Sequence, residues 1–150
     1  MHPLGLASPF FRSLPLDQYG LEWVYPQAEL AHPFDDGSAI VIERSIEINA
    51  ARFGSDEIRY RRLMEWLVMH HEAILEEFLA PLHVPRHALI MGGFGVLALN
   101  SASGFAKMAF QTEAVGGMFA GLAAHSVMPL EQPATVAFGL MLGMLAHAGA

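Results

Sequence analysis

The chain has no cysteine, few basic residues, and almost no charge in its second half. Without cysteine there is no disulfide framework and no thiolate nucleophile or ligand, so a reducing, cytoplasmic setting suits it. Eight Lys and Arg stand against 15 Asp and Glu, for a net charge of −7 and a pI near 5.5. Four of the basic residues fall between Arg52 and Arg62, where Asp56 and Glu57 dilute them. A nucleic-acid face needs a clustered basic patch, so nucleic acid is not an expected partner. Met1-His2-Pro3-Leu4 lacks the basic segment and apolar core of a signal peptide.

What is present is a long apolar half. From Gly92 to Ala150 the only charged residues are Lys107, Glu113 and Glu131, three in 59 positions. Soluble surfaces are roughly 25–35% charged. Residues 119–128 and 134–147 are apolar on nearly every side, whereas a surface helix carries one apolar stripe and a polar back. The expectation is that something beyond this chain covers them. Residues 134–150 sit at the lower length limit for a membrane span, contain His147 and have no flanking Lys or Arg. A span is therefore not expected, and membrane contact would be peripheral. Exposed apolar surface also suits a helical binding or oligomerisation module without catalysis.

At 150 residues one domain is expected, of α+β class and mainly helical. Residues 21–44 read as a small antiparallel β-hairpin region and residues 45–150 as a helical region. Ahead of them, prolines 3, 9 and 15 leave a loop with one helical turn over residues 8–13, capped by Ser8 with Pro9 at its first position. Residues 21–25 read as a strand closed by Pro26. Residues 29–34 and 38–42 read as a hairpin around Asp35-Asp36-Gly37, with Pro33 marking an edge strand. Ser45 caps a helix that reaches Phe53 and stops at Gly54. Ser55 then caps one long amphipathic helix ending at Pro81, about 25 residues or roughly 37 Å.

Several residues invite a chemical role. Asp35 and Asp36 are adjacent in a turn, which favours turn capping over acid–base work. His70-His71-Glu72 lacks the i, i+4 histidine spacing of a helical zinc site. His83 and His87 have that spacing, but Pro85 between them breaks the helix and leaves loop histidines. Gly93-Phe94-Gly95-Val96-Leu97-Ala98 is a literal G-x-G-x-x-A, with Glu113 about 20 residues on, where a ribose-binding acid belongs. No second parallel strand follows, so the segment reads as glycine-rich helix packing. His125-Ser126 reads as a hydrogen-bonded core histidine and a back-bonded serine, or alternatively as a polar point in an apolar pocket. Met118, Met128, Met141 and Met144 suit a soft core or an adaptable pocket wall.

Three stretches, HPLGLASPFFRSLPLDQYGLEWVYP, AHPFDDGSAIVIERS and FAGLAAHSVMPLEQPATVAFGLMLGMLAHAG, resemble the middle of phytoene desaturase-like, FAD-dependent oxidoreductases. These are bacterial enzymes similar to carotenoid desaturases and flavin amine oxidases. The resemblance covers essentially the whole chain and implies the first, large part of a substrate domain. In such relatives a strand–GxGxxG–helix unit precedes the position of His2. Further FAD-binding segments follow Gly149, where those chains continue with a second glycine and a tryptophan-proline turn. The resemblance therefore implies FAD in the intact relative and none held by this chain alone. It implies an apolar or amine-like substrate, no catalytic residue here, and the FAD-binding domain as partner. Self-association through the apolar half is the alternative. The residues expected to face the substrate cavity, by helical spacing and polarity contrast, are His125, Phe138, Met141 and Leu145.

Overall fold

The computed structural model describes residues 3–148. Met1, His2, Gly149 and Ala150, and with them the two ends used in the resemblance, lie outside the described residues. The described chain is mainly helical, with one two-stranded antiparallel sheet ahead of most of the helices.

Helices α1 (Pro3–Ala7) and α2 (Pro9–Arg12) open it. The turn expected at Ser8 is α2: the Ser8 hydroxyl accepts from the Phe11 amide and Pro9 occupies the first position. A 3-10 turn, Leu16–Tyr19, stops at Gly20, whose φ of +82° suits only glycine well. The strand expected over residues 21–25 does not form. A strand needs a neighbour, and β1 pairs only with β2, so Leu21, Val24 and Tyr25 stay exposed. Tyr25 instead lies under the Arg44 guanidinium at 4.4 Å.

The hairpin forms as expected, β1 (Leu30–Pro33) against β2 (Ala39–Ile42), with His32 opposite Ile40 and Leu30 opposite Ile42. Phe34 N donates to Ser38 O at 2.9 Å across the three-residue loop, and Gly37 takes φ +81°. Asp36 accepts from the amide and hydroxyl of Ser38 at 2.9 and 2.6 Å, so it caps the turn. Strand alternation turns Leu30, His32, Ile40 and Ile42 toward the helices.

Helix α3 (Ile46–Arg52) starts where Ser45 accepts from Ile48 N at 3.2 Å. Buried Asn49 locks the approach to it, donating to Glu43 O and Ser45 O and accepting from Glu43 N. The single long helix expected next is two, α4 (Glu57–Met69) and α5 (His71–Phe78). The imidazoles break it. His70 Nδ1 bonds Trp66 O at 2.8 Å and His71 Nδ1 bonds Val68 O at 2.7 Å, competing for carbonyls a continuous helix would use. Ser55 does not cap α4 either. Asp56 holds that place, and its buried carboxylate reaches across the fold. It accepts from Gln111 N (2.7 Å), Thr112 N (2.8 Å) and Thr112 Oγ1 (2.7 Å). Burial alone would raise its pKa, but these hydrogen bonds outweigh it and hold the carboxyl below the usual range.

Helices α6 (Ala88–Ala98), α7 (Ala102–Ala109), α8 (Glu113–Ala123) and α9 (Val136–Ala148) complete the chain. Helix α9 is the centre. It packs against α4, α6 and α8, with α1, α5 and α7 also in contact. Gly139 lets the Phe119 ring onto its backbone, and Gly143 admits Met64. This corrects the expectation that α9 needs cover from outside, since Val136, Leu140, Met144 and Leu145 are sealed by the chain itself. No single helix among the described residues is long and apolar enough to cross a membrane.

Because Asp56 ties α4 to the α7–α8 link, Asp56→Ala leaves two part-buried amides and a hydroxyl without their acceptor. We expect a loss of roughly 2–4 kcal/mol in urea unfolding, and a smaller loss for Asp56→Asn, which keeps one acceptor oxygen.

Candidate functional site

The hairpin lies over the C-terminal ends of α8 and α9, and between them is a cavity of about 340 Å3. Leu30, Leu122, Leu142, Leu145 and Ala146 give it apolar walls, while Glu29, His32 and His125 bring polar groups to it. Each polar group is placed by a local rule. His32 faces inward by strand alternation and lies against α8 at Gly121, where a Cβ would overlap its ring. Burial, with a smaller contribution from His125, lowers its pKa. His125 sits in the 3-10 turn Ala124–Ser126 and is exposed at the rim. Its Nδ1 faces Leu122 O at 3.2 Å, so that nitrogen carries a hydrogen and donates to the carbonyl.

Glu29 is the unusual member. Its amide donates to Ile42 O at 2.8 Å, extending the sheet by one bond. Its side chain is only 7% exposed. Oε1 stands 3.6 Å from Arg44 Nη2, too far for a hydrogen bond, and has no hydrogen-bond partner among the described residues.

Arg44 connects the cavity to a buried pair beside it. His147 Nδ1 lies 2.8 Å from Arg44 O and Nε2 lies 2.6 Å from the Tyr60 hydroxyl. A carbonyl only accepts, so Nδ1 donates to it and Nε2 accepts from Tyr60. Tyr60 is 1% and His147 6% exposed. Burial drives the Tyr60 phenol far above its usual range. Burial also lowers His147, more than the Arg44 carbonyl and Glu47 raise it, so the ring is neutral at pH 7.

Of the four residues expected at a cavity, His125 and Leu145 line this one, whereas Phe138 and Met141 do not. The three on α9 share a face by helical count, but the helix runs inward. Phe138 is exposed, Met141 half-buried and Leu145 fully buried. His125 is at the rim and not in the core, and Ser126 accepts from Met128 N at 3.3 Å instead of bonding back into the helix. Val127 beside them has φ +57° and is 91% exposed, a left-handed conformation that a β-branched side chain rarely takes. Sequence reading missed Glu29, which carries no local signal, and His32, whose inward alternation in the hairpin was available as one.

The other candidates stay apart. His83 and His87 pair with Glu77 and Glu76, and no cluster among the described residues could hold a metal ion. Gly93 and Gly95 fall within α6, after its first turn, and Gly93 packs against the Trp66 ring. A nucleotide cradle needs its glycines in the turn before a helix N-terminus, so this segment does not fit FAD. Comparison with known proteins finds no matching family model, curated protein or solved structure.

Two outcomes follow from this geometry. His147 and His32 have pKa values below the ordinary 6.5 in the folded chain, so the unfolded chain binds protons more readily. Stability is full above about pH 6.5 and falls as pH drops below it. Unfolding at pH 5.5 should need less urea than at pH 7.5, and the difference should shrink in His147→Gln. Gly121→Ala should displace the His32 ring, visible as a shift of its imidazole NMR signals, with about 1–3 kcal/mol lost to overpacking.

Proposed function

We propose that this chain is the substrate-binding part of an FAD-dependent oxidoreductase similar to carotenoid desaturases and flavin amine oxidases. It is a cytoplasmic chain whose own role is to bind an apolar or amine-like molecule. The observation that carries the reading is the cavity under the hairpin: apolar on its helical walls, polar at one side, and within the 300–1,000 Å3 range of small-ligand sites. Two of the three stretches that resemble those oxidoreductases contribute Ala31, His32, Leu122, His125, Leu142, Leu145 and Ala146 of its lining, and Glu29 and Leu30 fall between the first stretch and the second. Support also comes from the mainly helical build with one small hairpin. Gly93–Ala98 gives no dinucleotide cradle, so the redox chemistry belongs to a flavin held elsewhere.

An apolar face on α6 gives the partner domain a place to pack. Leu89, Val96 and Leu99 are largely exposed along it, and Leu82 and Val84 are exposed on the loop before it. That loop is built with its polar groups inward. Buried Glu77 accepts from Arg86 N (2.7 Å) and His87 N (3.0 Å) and pairs with His83 Nε2 at 2.7 Å. Apolar side chains turned outward from a polar-centred loop favour a covered surface. The same observation favours a second reading, an assembly module that covers this face with another copy of itself.

A neutral apolar fluorophore such as N-phenyl-1-naphthylamine should bind the full chain saturably at one per chain. Ala146→Leu, which fills the cavity, should weaken it at least ten-fold while circular dichroism stays helical. Unsaturable binding, or an unchanged affinity in Ala146→Leu, would overturn the substrate-binding reading. FAD retained at one per chain would overturn the placement of the flavin elsewhere. Light scattering tests the second reading, which a monodisperse monomer at all concentrations would exclude.

A further inference from the structure

We infer that the free edge of β2 takes up an uncharged, extended segment of a partner polypeptide, which adds a third strand to the sheet. Phe34 N donates to Ser38 O, and the register sets His32 opposite Ile40 and Leu30 opposite Ile42. Hydrogen-bonded and non-hydrogen-bonded pairs alternate along an antiparallel ladder. Ile40 and Ile42 therefore bond β1, whereas Ala39 and Val41 turn their amides and carbonyls to the other side. Glu43 is the next position of that outward set, and there the edge is already satisfied. Its amide donates to Asn49 Oδ1 at 3.0 Å and its carbonyl accepts from Asn49 Nδ2 at 2.6 Å. The buried Asn49 side chain thus stands where a neighbouring strand would be. Ala39 and Val41 have no such neighbour among the described residues, since β1 is the one other strand of the sheet.

The two edges of the sheet differ. On β1 the outward positions are Ala31 and Pro33, and a proline offers no N–H, so that edge is blunted against pairing. Strand β2 carries neither proline nor charge. Beside it a cleft of about 470 Å3 lies between residues 39–41, the α3–α4 link and the first turn of α8. Backbone donors and acceptors along a cleft call for an occupant with the same groups at strand spacing, which is an extended peptide. Its residues opposite Ala39 and Val41 face solvent as those two do. The residue between them turns to the helical side, where Phe53, Ala114 and Val115 line the cleft, so that residue is apolar. Arg52 is the charged group on this lining, and Glu43 neutralises it at 2.6 Å, so the segment itself carries no charge. The helical walls stand beside the edge on every copy, which favours a lone segment over edge-to-edge pairing of two copies. The inference is independent of the substrate-binding reading, whose cavity lies elsewhere along the hairpin.

The probe is the peptide acetyl-Ser-Thr-Ile-Thr-Ser-amide, compared with a form methylated on both threonine nitrogens. In NMR of the full chain, the Ala39 and Val41 amides should exchange with solvent faster than those of Ile40 and Ile42. Excess peptide should shift the Ala39 and Val41 signals saturably and slow their exchange at least five-fold. The methylated form lacks the donors for the Ala39 and Val41 carbonyls and should bind at least ten-fold more weakly. Val41→Pro removes one outward N–H and leaves the bonds to β1, so it should keep its helical circular dichroism and lose at least five-fold in peptide affinity. If that variant unfolds, the two peptides on the unaltered chain decide alone. Equal affinity for both peptides, or no shift at the two amides, would overturn strand addition at this edge. Protection of those amides that grows with chain concentration, without peptide, would give the edge to a second copy and overturn the partner segment as its occupant.

Discussion

Helix α9 carries no charged side chain, and its one strongly polar group, the His147 imidazole, is buried in its last turn. A helix of that kind stays in place only when most of its surface is covered and its imidazole is satisfied on both nitrogens. Glycines 139 and 143 allow the first, letting Phe119 and Met64 close onto the backbone. Tyr60 and the Arg44 carbonyl provide the second. The imidazole therefore joins α4, α9 and the end of the hairpin at one point, where a missing partner would leave a buried polar atom unpaired.

The cavity is a consequence of that junction. Arg44 is held through its carbonyl by His147, and its guanidinium lies near Glu29 and over Tyr25. The hairpin is thus tethered at its base, while His32 fits against Gly121 farther along the strand. Two strands do not fill the space over the C-terminal ends of α8 and α9. What remains is walled by leucines and bordered by three titratable groups.

Charge scarcity in the second half has two separate causes in the folded chain. Much of it is core: α9 with the inner faces of α6, α7 and α8 forms one cluster with Phe53, Tyr60, Met64 and Leu67 of the middle helices. The rest is surface, on α6 and the loop before it, where Leu82, Val84, Leu89, Val96 and Leu99 face outward. Composition registers both as apolar sequence. Only burial distinguishes a helix already covered from a face that is not.

Local chemistry is what the sequence by itself determined: the Ser8 and Ser45 caps, the Asp35-Asp36-Gly37 hairpin turn, the helical character of the apolar half, and, of the α6 glycines, Gly93, which packs on Trp66. Each depends on residues within a few positions of one another, where hydrogen-bond geometry and backbone sterics act without help. Tertiary structure alone decided the rest. Residues 21–25 have strand-forming side chains but no neighbouring edge, and the long helix breaks where two imidazoles take backbone carbonyls. Asp56 looks like a first-turn acid yet serves amides more than 50 residues away. Phe138, Met141 and Leu145 share a helical face that passes from solvent into the core, so spacing could not tell which of them meets the cavity. Glu29 acquires its character only when the hairpin closes and removes water from its carboxylate, because burial is a property of the whole assembly of elements and not of any segment.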